Sequence, residues 1–176
     1  MENTRRVFIA IDIPTEIKAE IKKLNGLIQS VHSHPMENFH ITVKFIGEAA
    51  DEQIPLIASL LDFVGTGFPP FPVQFKGFKV EENRLRLLVA NPDKVLDIHK
   101  TVDHNLKKIL TVKEDRIAYQ PHITLGRMPP GEEAPYAFFN FDKLNYTADR
   151  ISLFETVRGE KTATFVKLKE VFFTGE

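Results

Sequence analysis

Apolar positions along the chain change period several times, and each change marks an element. Arg6 to Ile11 is a short apolar run that reads as a strand. Ile17, Ile21, Leu24, Ile28 and Val31 recur at helical spacing and predict a helix from Thr15 to Val31. Phe39 to Ile46 alternates with period two, as a strand does. Asp51 to Val64 predicts a second helix, with Asp51 as N-cap and Pro55 in the first turn. Gly65 to Pro70 is a turn-rich joint. Phe71 to Val80 and Arg84 to Ala90 predict a hairpin around Glu81, Glu82 and Asn83. Asn91 caps a third helix with Pro92 at its first position, and Val95, Ile98, Val102, Leu106 and Ile109 form its apolar face. His122 to Arg127 is again a strand, followed by a Pro, Gly and Glu-rich loop from Pro129 to Pro135. Two strands near Arg150 to Val157 and Ala163 to Phe173 end the chain, with Gly159 between them.

One unit occurs twice in this order. Arg6 to Pro14 and Arg84 to Pro92 share a pattern from Arg to Pro, and an amphipathic helix follows each. After each helix comes a strand that begins with His: His40-Ile-Thr-Val and His122-Ile-Thr-Leu. Two such units about an approximate two-fold axis bring the two His strands together. The expected architecture is a single α+β domain over residues 1–176. Two pseudo-symmetric lobes of mainly antiparallel sheet carry outer helices and leave a central cleft.

Alternation puts His40, Thr42 and Lys44 on one strand face and Ile41, Val43 and Phe45 on the other, the core face. The second copy buries Ile123 and Leu125 and leaves His122 and Thr124 to the cleft. Six His and 12 Thr in 176 residues predict about 0.4 His-x-Thr triplets by chance, and about 0.1 with apolar residues at the second and fourth positions. Two copies at matching places therefore point to chemistry. Two imidazoles facing one cleft supply a general acid and a general base near neutral pH. Thr hydroxyls beside them can donate to non-bridging phosphate oxygens. That layout serves in-line displacement at phosphorus, which also needs positive charge for the equatorial oxygens. Arg127 is the nearest cation. Its strand parity is opposite to that of His122, and Gly126 would permit a bulge that re-aims it.

Composition narrows the partners. The chain has no Cys, which removes disulfides, thiolate nucleophiles and thiolate metal sites. No stretch approaches the roughly 20 apolar residues of a membrane span. The N-terminus has no signal-peptide cleavage pattern. The expected location is the cytoplasm, and the expected state is a monomer. The net charge of −1 argues against a long nucleic-acid footprint and for a small site that grips one or two nucleotides at an end.

Phe39-His-Ile-Thr-Val-Lys-Phe-Ile-Gly-Glu48 and Pro121-His-Ile-Thr-Leu-Gly-Arg127 resemble the two signatures of the two-histidine phosphoesterase superfamily. The nearest likeness is to its bacterial and archaeal RNA 2′,3′-cyclic phosphodiesterases, also called 2′-5′ RNA ligases. The resemblance spans nearly the whole chain. Tyr119 stands where many relatives carry Phe. The resemblance implies a bilobal fold, no metal and no cofactor, and opening of a terminal 2′,3′-cyclic phosphate to a 2′-phosphate. It implies His40 and His122 as the acid–base pair, with Thr42, Thr124 and Arg127 holding the phosphate; we assign His40 as general acid and His122 as general base, although the two motifs are nearly symmetric. RNA ends, or cyclic nucleotides, are the implied partners, and reversible 2′-5′ joining is a further expectation. A phosphodiesterase of small cyclic nucleotides or of an ADP-ribose cyclic phosphate is one alternative. A non-catalytic module that binds RNA ends, or a metallohydrolase, is another.

Other residues have plainer readings. His32 and His34 read as a solvated loop, and His99 and His104 as surface or helix-flank residues. Lys107 and Lys108, with Lys113 and Arg116, read as a solvated helix end. The Phe71 to Phe78 cluster reads as core.

Overall fold

A computed structural model gives the structure of residues 3–29, 31–112, 114, 117–134, 139–160 and 162–176. Lys113, Arg116 and Pro135 lie outside the described residues, so the readings that include them apply only to their neighbours. Among the described residues, no helix is long and apolar enough to cross a membrane.

The fold is α+β. The strands are β1 (Thr4–Ile11), β2 (His32–Ser33), β3 (Ile41–Ala50), β4 (Phe71–Val73), β5 (Phe75–Glu81) and β6 (Arg84–Val89), then β7 (His122–Arg127), β8 (Tyr146–Ala148), β9 (Arg150–Arg158) and β10 (Ala163–Phe172). The helices are α1 (Thr15–Gly26), α2 (Ile54–Gly67) and α3 (Asp93–Ile109). The main sheet is antiparallel with strand order β10-β9-β1-β3-β7-β6-β5, and β2 lies on the edge of β7. A small separate sheet pairs β4 with β8. Each half of the main sheet is thus a strand–helix–strand unit with added strands. β1–α1–β3 is joined by β9–β10, and β6–α3–β7 is joined by β5.

The halves meet at the β3–β7 seam, where the described pairing is the single pair Ile41 and Ile123. Beyond that pair the edge of β7 is taken by β2, through His32 with Arg127 and Ser33 with Gly126. The repeat exists in topology but is offset from the one read in sequence. Arg6 pairs with Glu48, whereas Arg84 pairs with Arg127, so Phe8 rather than Arg6 occupies the place of Arg84.

Of the predicted helix faces, Ile17 and Ile21 of α1 and Val95, Ile98, Val102 and Leu106 of α3 are buried in one core, with Leu24 and Ile109 partly buried against it; Ile57, Leu61 and Val64 of α2 join the same core. Each such side chain contributes roughly 1.5–3 kcal/mol when taken from water. α2 packs on β9 and β10 and against α3, which also reaches β3.

Several boundaries differ from the sequence reading. α1 stops at Gly26, because the chain must turn to lay β2 along β7. Ile28 is still buried, which is why the helical spacing runs on past the helix. Asp51 opens a 3-10 turn rather than capping α2, and the Gln53 side chain accepts from the Ala50 N–H at 2.9 Å. Phe71 to Val80 is two strands, not one, because β4 leaves the main sheet for β8. Asn91 does not cap α3. Its amide accepts from Gln74 N–H at 3.0 Å and donates to the Pro72 carbonyl at 2.8 Å, which ties the β4–β5 corner to β6. The hairpin turn falls at Glu82 and Asn83, both with positive φ, as a two-residue type I′ turn requires.

Candidate functional site: two histidine strands at the seam

His40 and His122 each stand one residue before the joining pair. One antiparallel step from Ile41 and Ile123 sets His40 level with Thr124 and Thr42 level with His122. All four line one cleft of about 380 Å³. Arg84 and Arg127 line it too, as register partners on β6 and β7.

Arg127 reaches the cleft by a bulge. Leu85 pairs with Gly126 and Arg86 with Thr124, so Leu125 is the extra residue. The bulge buries both Leu125 and Gly126 and restores Arg127 to the face of His122. The other half has the same bulge. Ile9 pairs with Lys44 and Ala10 with Thr42, so Val43 is the extra residue. This corrects the strict alternation read in sequence. Lys44 is buried, 2% exposed, with its ammonium 2.8 Å from Asp103. Phe45 is 47% exposed and takes on β3 the place that Arg127 takes on β7.

Both bulges free a carbonyl, and each is held by the helix of the opposite half. Asn25 of α1 donates to the Leu125 carbonyl at 3.1 Å. His99 of α3 donates through Nδ1 to the Val43 carbonyl at 2.7 Å. His99 is therefore not a plain surface residue. Its ring stacks on Tyr119 at 3.9 Å, and the Tyr119 hydroxyl donates to the Thr42 carbonyl at 2.7 Å. The polar group that the departure from Phe to Tyr adds at residue 119 thus has a use.

The two imidazoles are oriented alike. His40 Nδ1–H donates to the Asn38 carbonyl, and His122 Nδ1–H donates to the Gln120 carbonyl, each at 2.7 Å and each two residues upstream. A donating Nδ1 leaves Nε2 as the acceptor nitrogen of each neutral ring. The Thr42 hydroxyl lies 2.9 Å from His40 Nε2 and donates to it in the neutral ring. Burial drives the His40 pKa down to about 4, and the bond to the Asn38 carbonyl offsets only part of that. Burial also lowers the His122 pKa, with Arg86 adding to the fall and Glu81 opposing it.

A histidine whose folded pKa is depressed makes stability fall as pH drops from its unfolded value toward its folded one. For His40 that window runs from about 6.5 to about 4. Wild type is expected to lose about 2–3 kcal/mol more than His40→Gln between pH 7 and 4.5, at 1.36 kcal/mol per pKa unit. Denaturant unfolding of both proteins at the two pH values measures this. Equal losses would show that His40 titrates normally.

Sequence reasoning misses four wall residues. His34 reads as solvated loop but lines the cleft, because its N–H donates to the bulged Leu125 carbonyl at 2.9 Å. Burial first, then Arg127 and Arg84, lower its pKa. Asn38 donates to the Ala163 carbonyl at 2.9 Å and so fixes the start of β10 beside His40. Arg84 has a signal, its place at the head of the strand beside β7. Phe165 has none, since β10 reaches the cleft only through tertiary pairing. Among the described residues, no three His, Cys, Asp or Glu side chains converge as a metal-ligand set.

Two further cavities flank the cleft. One of about 540 Å³ has His40 in its wall, with Asp12, Lys18, Phe154, Phe165 and Lys167 among its lining. The other, of about 280 Å³, has His122 in its wall.

The fold is similar to that of E. coli LigT in complex with 3′-AMP, with a TM-score of 0.85 at 20% identity over 98% of this chain and 99% of that one. TT0787 of Thermus thermophilus gives a TM-score of 0.86 at 19% identity, covering 97% of this chain and 99% of that one. In sequence, the chain is 31% identical to an RNA 2′,3′-cyclic phosphodiesterase of Methanocaldococcus jannaschii over 93% of its own length and 89% of the relative's. It is 27% identical to one of Thermotoga maritima, over 97% and 96%. The family model described as the 2′-5′ RNA ligase superfamily matches residues 13–160. That match takes in both histidine strands together with the helices that brace their bulges, and the chain belongs to the 2′-5′ RNA ligase superfamily.

Proposed function

We propose that this protein is an RNA 2′,3′-cyclic phosphodiesterase that opens a terminal cyclic phosphate to a 2′-phosphate. The observation that carries the reading is the pair of imidazoles on one cleft, each committed through Nδ1 to a carbonyl, so that Nε2 is the nitrogen left for proton transfer. The relatives' names support the same reaction.

The phosphate sits between Thr42 and Thr124, with Arg84 and Arg127 countering the charge on its equatorial oxygens. His122 Nε2 takes a proton from the attacking water. His40 Nε2 protonates the leaving 3′ oxygen on the opposite side. A neutral His40 in the free site cannot do this. The arriving phosphate anion favours the charged ring and restores its proton affinity. Protonated Nε2 then no longer accepts from Thr42, whose hydroxyl is released to donate to the phosphate. The freed 3′ oxygen stays tethered through the ribose and the 2′ oxygen, and the terminal nucleoside lies toward the His40 flank, where the cavity with Phe154 and Phe165 offers apolar and polar contacts. Reversible 2′-5′ joining follows the same path with a 5′-hydroxyl in place of water. We take the working unit to be one monomeric cytoplasmic domain of two pseudo-repeated lobes, acting without a metal.

The test is an oligoribonucleotide ending in a 2′,3′-cyclic phosphate, incubated with the protein in EDTA. The expected product carries a 2′-phosphate and forms at the same rate with and without chelator. A 3′-phosphate product would reverse the assigned leaving group. No turnover of the oligonucleotide, with turnover of a cyclic mononucleotide, would move the substrate class to small molecules.

A further inference from the structure

The cavity on the His122 flank carries a charge pattern that hydrolysis does not use. Arg86 on β6 is the register partner of Thr124 on one side and of Lys79 on the other. Cross-strand partners share a sheet face, so Thr124, Arg86 and Lys79 form a row leading out of the cleft. His122, Tyr119 and Gln120 complete the cavity wall, and His122 also lines the central cleft.

Lys79 and Arg86 share one carboxylate. Lys79 Nζ lies 3.1 Å from Glu81, and Arg86 pairs with the other oxygen of the same group. Two cations on one anion leave one positive charge uncompensated. Arg86 Nε is buried and has no hydrogen-bond partner among the described residues. A buried donor of this kind costs free energy until an acceptor meets it. An oxygen bearing a single negative charge supplies what the cluster lacks. A phosphodiester has that charge and brings the sum to zero.

We propose that this cavity is a second phosphate site, which holds the RNA strand that presents a 5′-hydroxyl for joining. The inference rests on the cyclic phosphodiesterase reading, and in particular on His122 as the base. In-line attack brings the nucleophile in beside the base and opposite the leaving oxygen. Water needs no further grip there. A strand whose 5′-hydroxyl replaces water has its first phosphodiester one ribose away, on the His122 flank. The 5′ oxygen forms a bond to phosphorus and the bond from phosphorus to the 3′ oxygen breaks. The hydroxyl proton goes to His122 Nε2, and the His40 proton goes to the 3′ oxygen. The product is a 2′-5′ phosphodiester with a free 3′-hydroxyl, and no co-reactant is needed.

The experiment offers wild type a cyclic-phosphate-ended oligonucleotide with either adenosine or the 5′-hydroxyl dinucleotide ApA as acceptor. Hydrolysis in the same tube is the internal reference. ApA has the phosphodiester and adenosine does not. ApA is expected to join about tenfold better, the ratio that one charge-assisted hydrogen bond supplies. That ratio falls to about one in Lys79→Ala and in Arg86→Gln. If joining is too slow to detect, the same preference appears as inhibition of hydrolysis by ApA over adenosine. Equal behaviour of the two acceptors in wild type, or a preference that both variants keep, overturns the proposal. It is also overturned if Lys79→Ala instead abolishes a preference for a cyclic-phosphate dinucleotide over a cyclic mononucleotide, since the site then serves the strand being opened. Absence of hydrolysis by wild type defeats the underlying reading, whereas hydrolysis without acceptor preference defeats only this one.

Discussion

Turnover of the cyclic phosphate is expected to drop about 10²–10⁴-fold when either His40 or His122 is changed to Ala, the range that a general acid or base contributes. The two rings match in their Nδ1 bonds, each to a carbonyl two residues upstream, so a loss of similar size is expected for either. The double variant is expected to be little worse than the single ones, because acid and base act in one transition state and their effects do not multiply. Substrate affinity falls far less, since Thr42, Thr124, Arg84 and Arg127 remain. Single-turnover rates and binding of a non-hydrolysable analogue separate the two effects. A variant that keeps more than about a tenth of wild-type turnover removes that histidine from the proposed chemistry.

Gly126→Ala is expected to give the largest loss of stability from a single added methyl group. A Cβ at this position would lie 2.3 Å from the His32 carbonyl oxygen, which is backbone and held in the β2–β7 pairing. Relief requires β2 to move off β7. That movement breaks the His34 bond to the bulged Leu125 carbonyl and loosens the bulge that aims Arg127. Overpacking of this kind costs about 1–3 kcal/mol. For a chain of this size that lowers the melting midpoint by roughly 2–12 °C, at 2–4 °C per kcal/mol. Phosphate binding should weaken alongside, as Arg127 loses its aim. Thermal melts with and without a phosphate-bearing product measure both, and an unchanged midpoint would show that β2 is not tightly seated.

The pair of cleft histidines is legible in the sequence because each motif is local: four residues, one strand, one face. The helices are legible because their apolar faces are periodic and buried. Features set by contacts across the sheet are not. Gly126 hints at the bulge beside it, but the matching bulge at Val43 has no glycine next to it. Its freed carbonyl is taken by His99, which is 56 residues away. Without that contact, alternation places Lys44 in the cleft and Phe45 in the core, the reverse of their observed places. His34 and Phe165 escape the sequence for the same reason, since the assembly of the sheet and not a local pattern brings each to the cleft.

The order of strands has a consequence for how the chain folds. β5, β6 and β7, with α3, come from one continuous stretch and can pair as soon as they exist. β1 cannot finish its pairing until β9 arrives, because Val7 to Ile11 are matched with residues 151–155. Contacts of such sequence separation are slow to form, since the loop they close is long. The His122 half is therefore expected to complete its pairing before the His40 half. A chain that ends before Arg150 contains both histidine motifs, yet it lacks the strand beside β1 and the Phe165 wall of the cleft. Catalytic competence thus arrives with the last hairpin to be made.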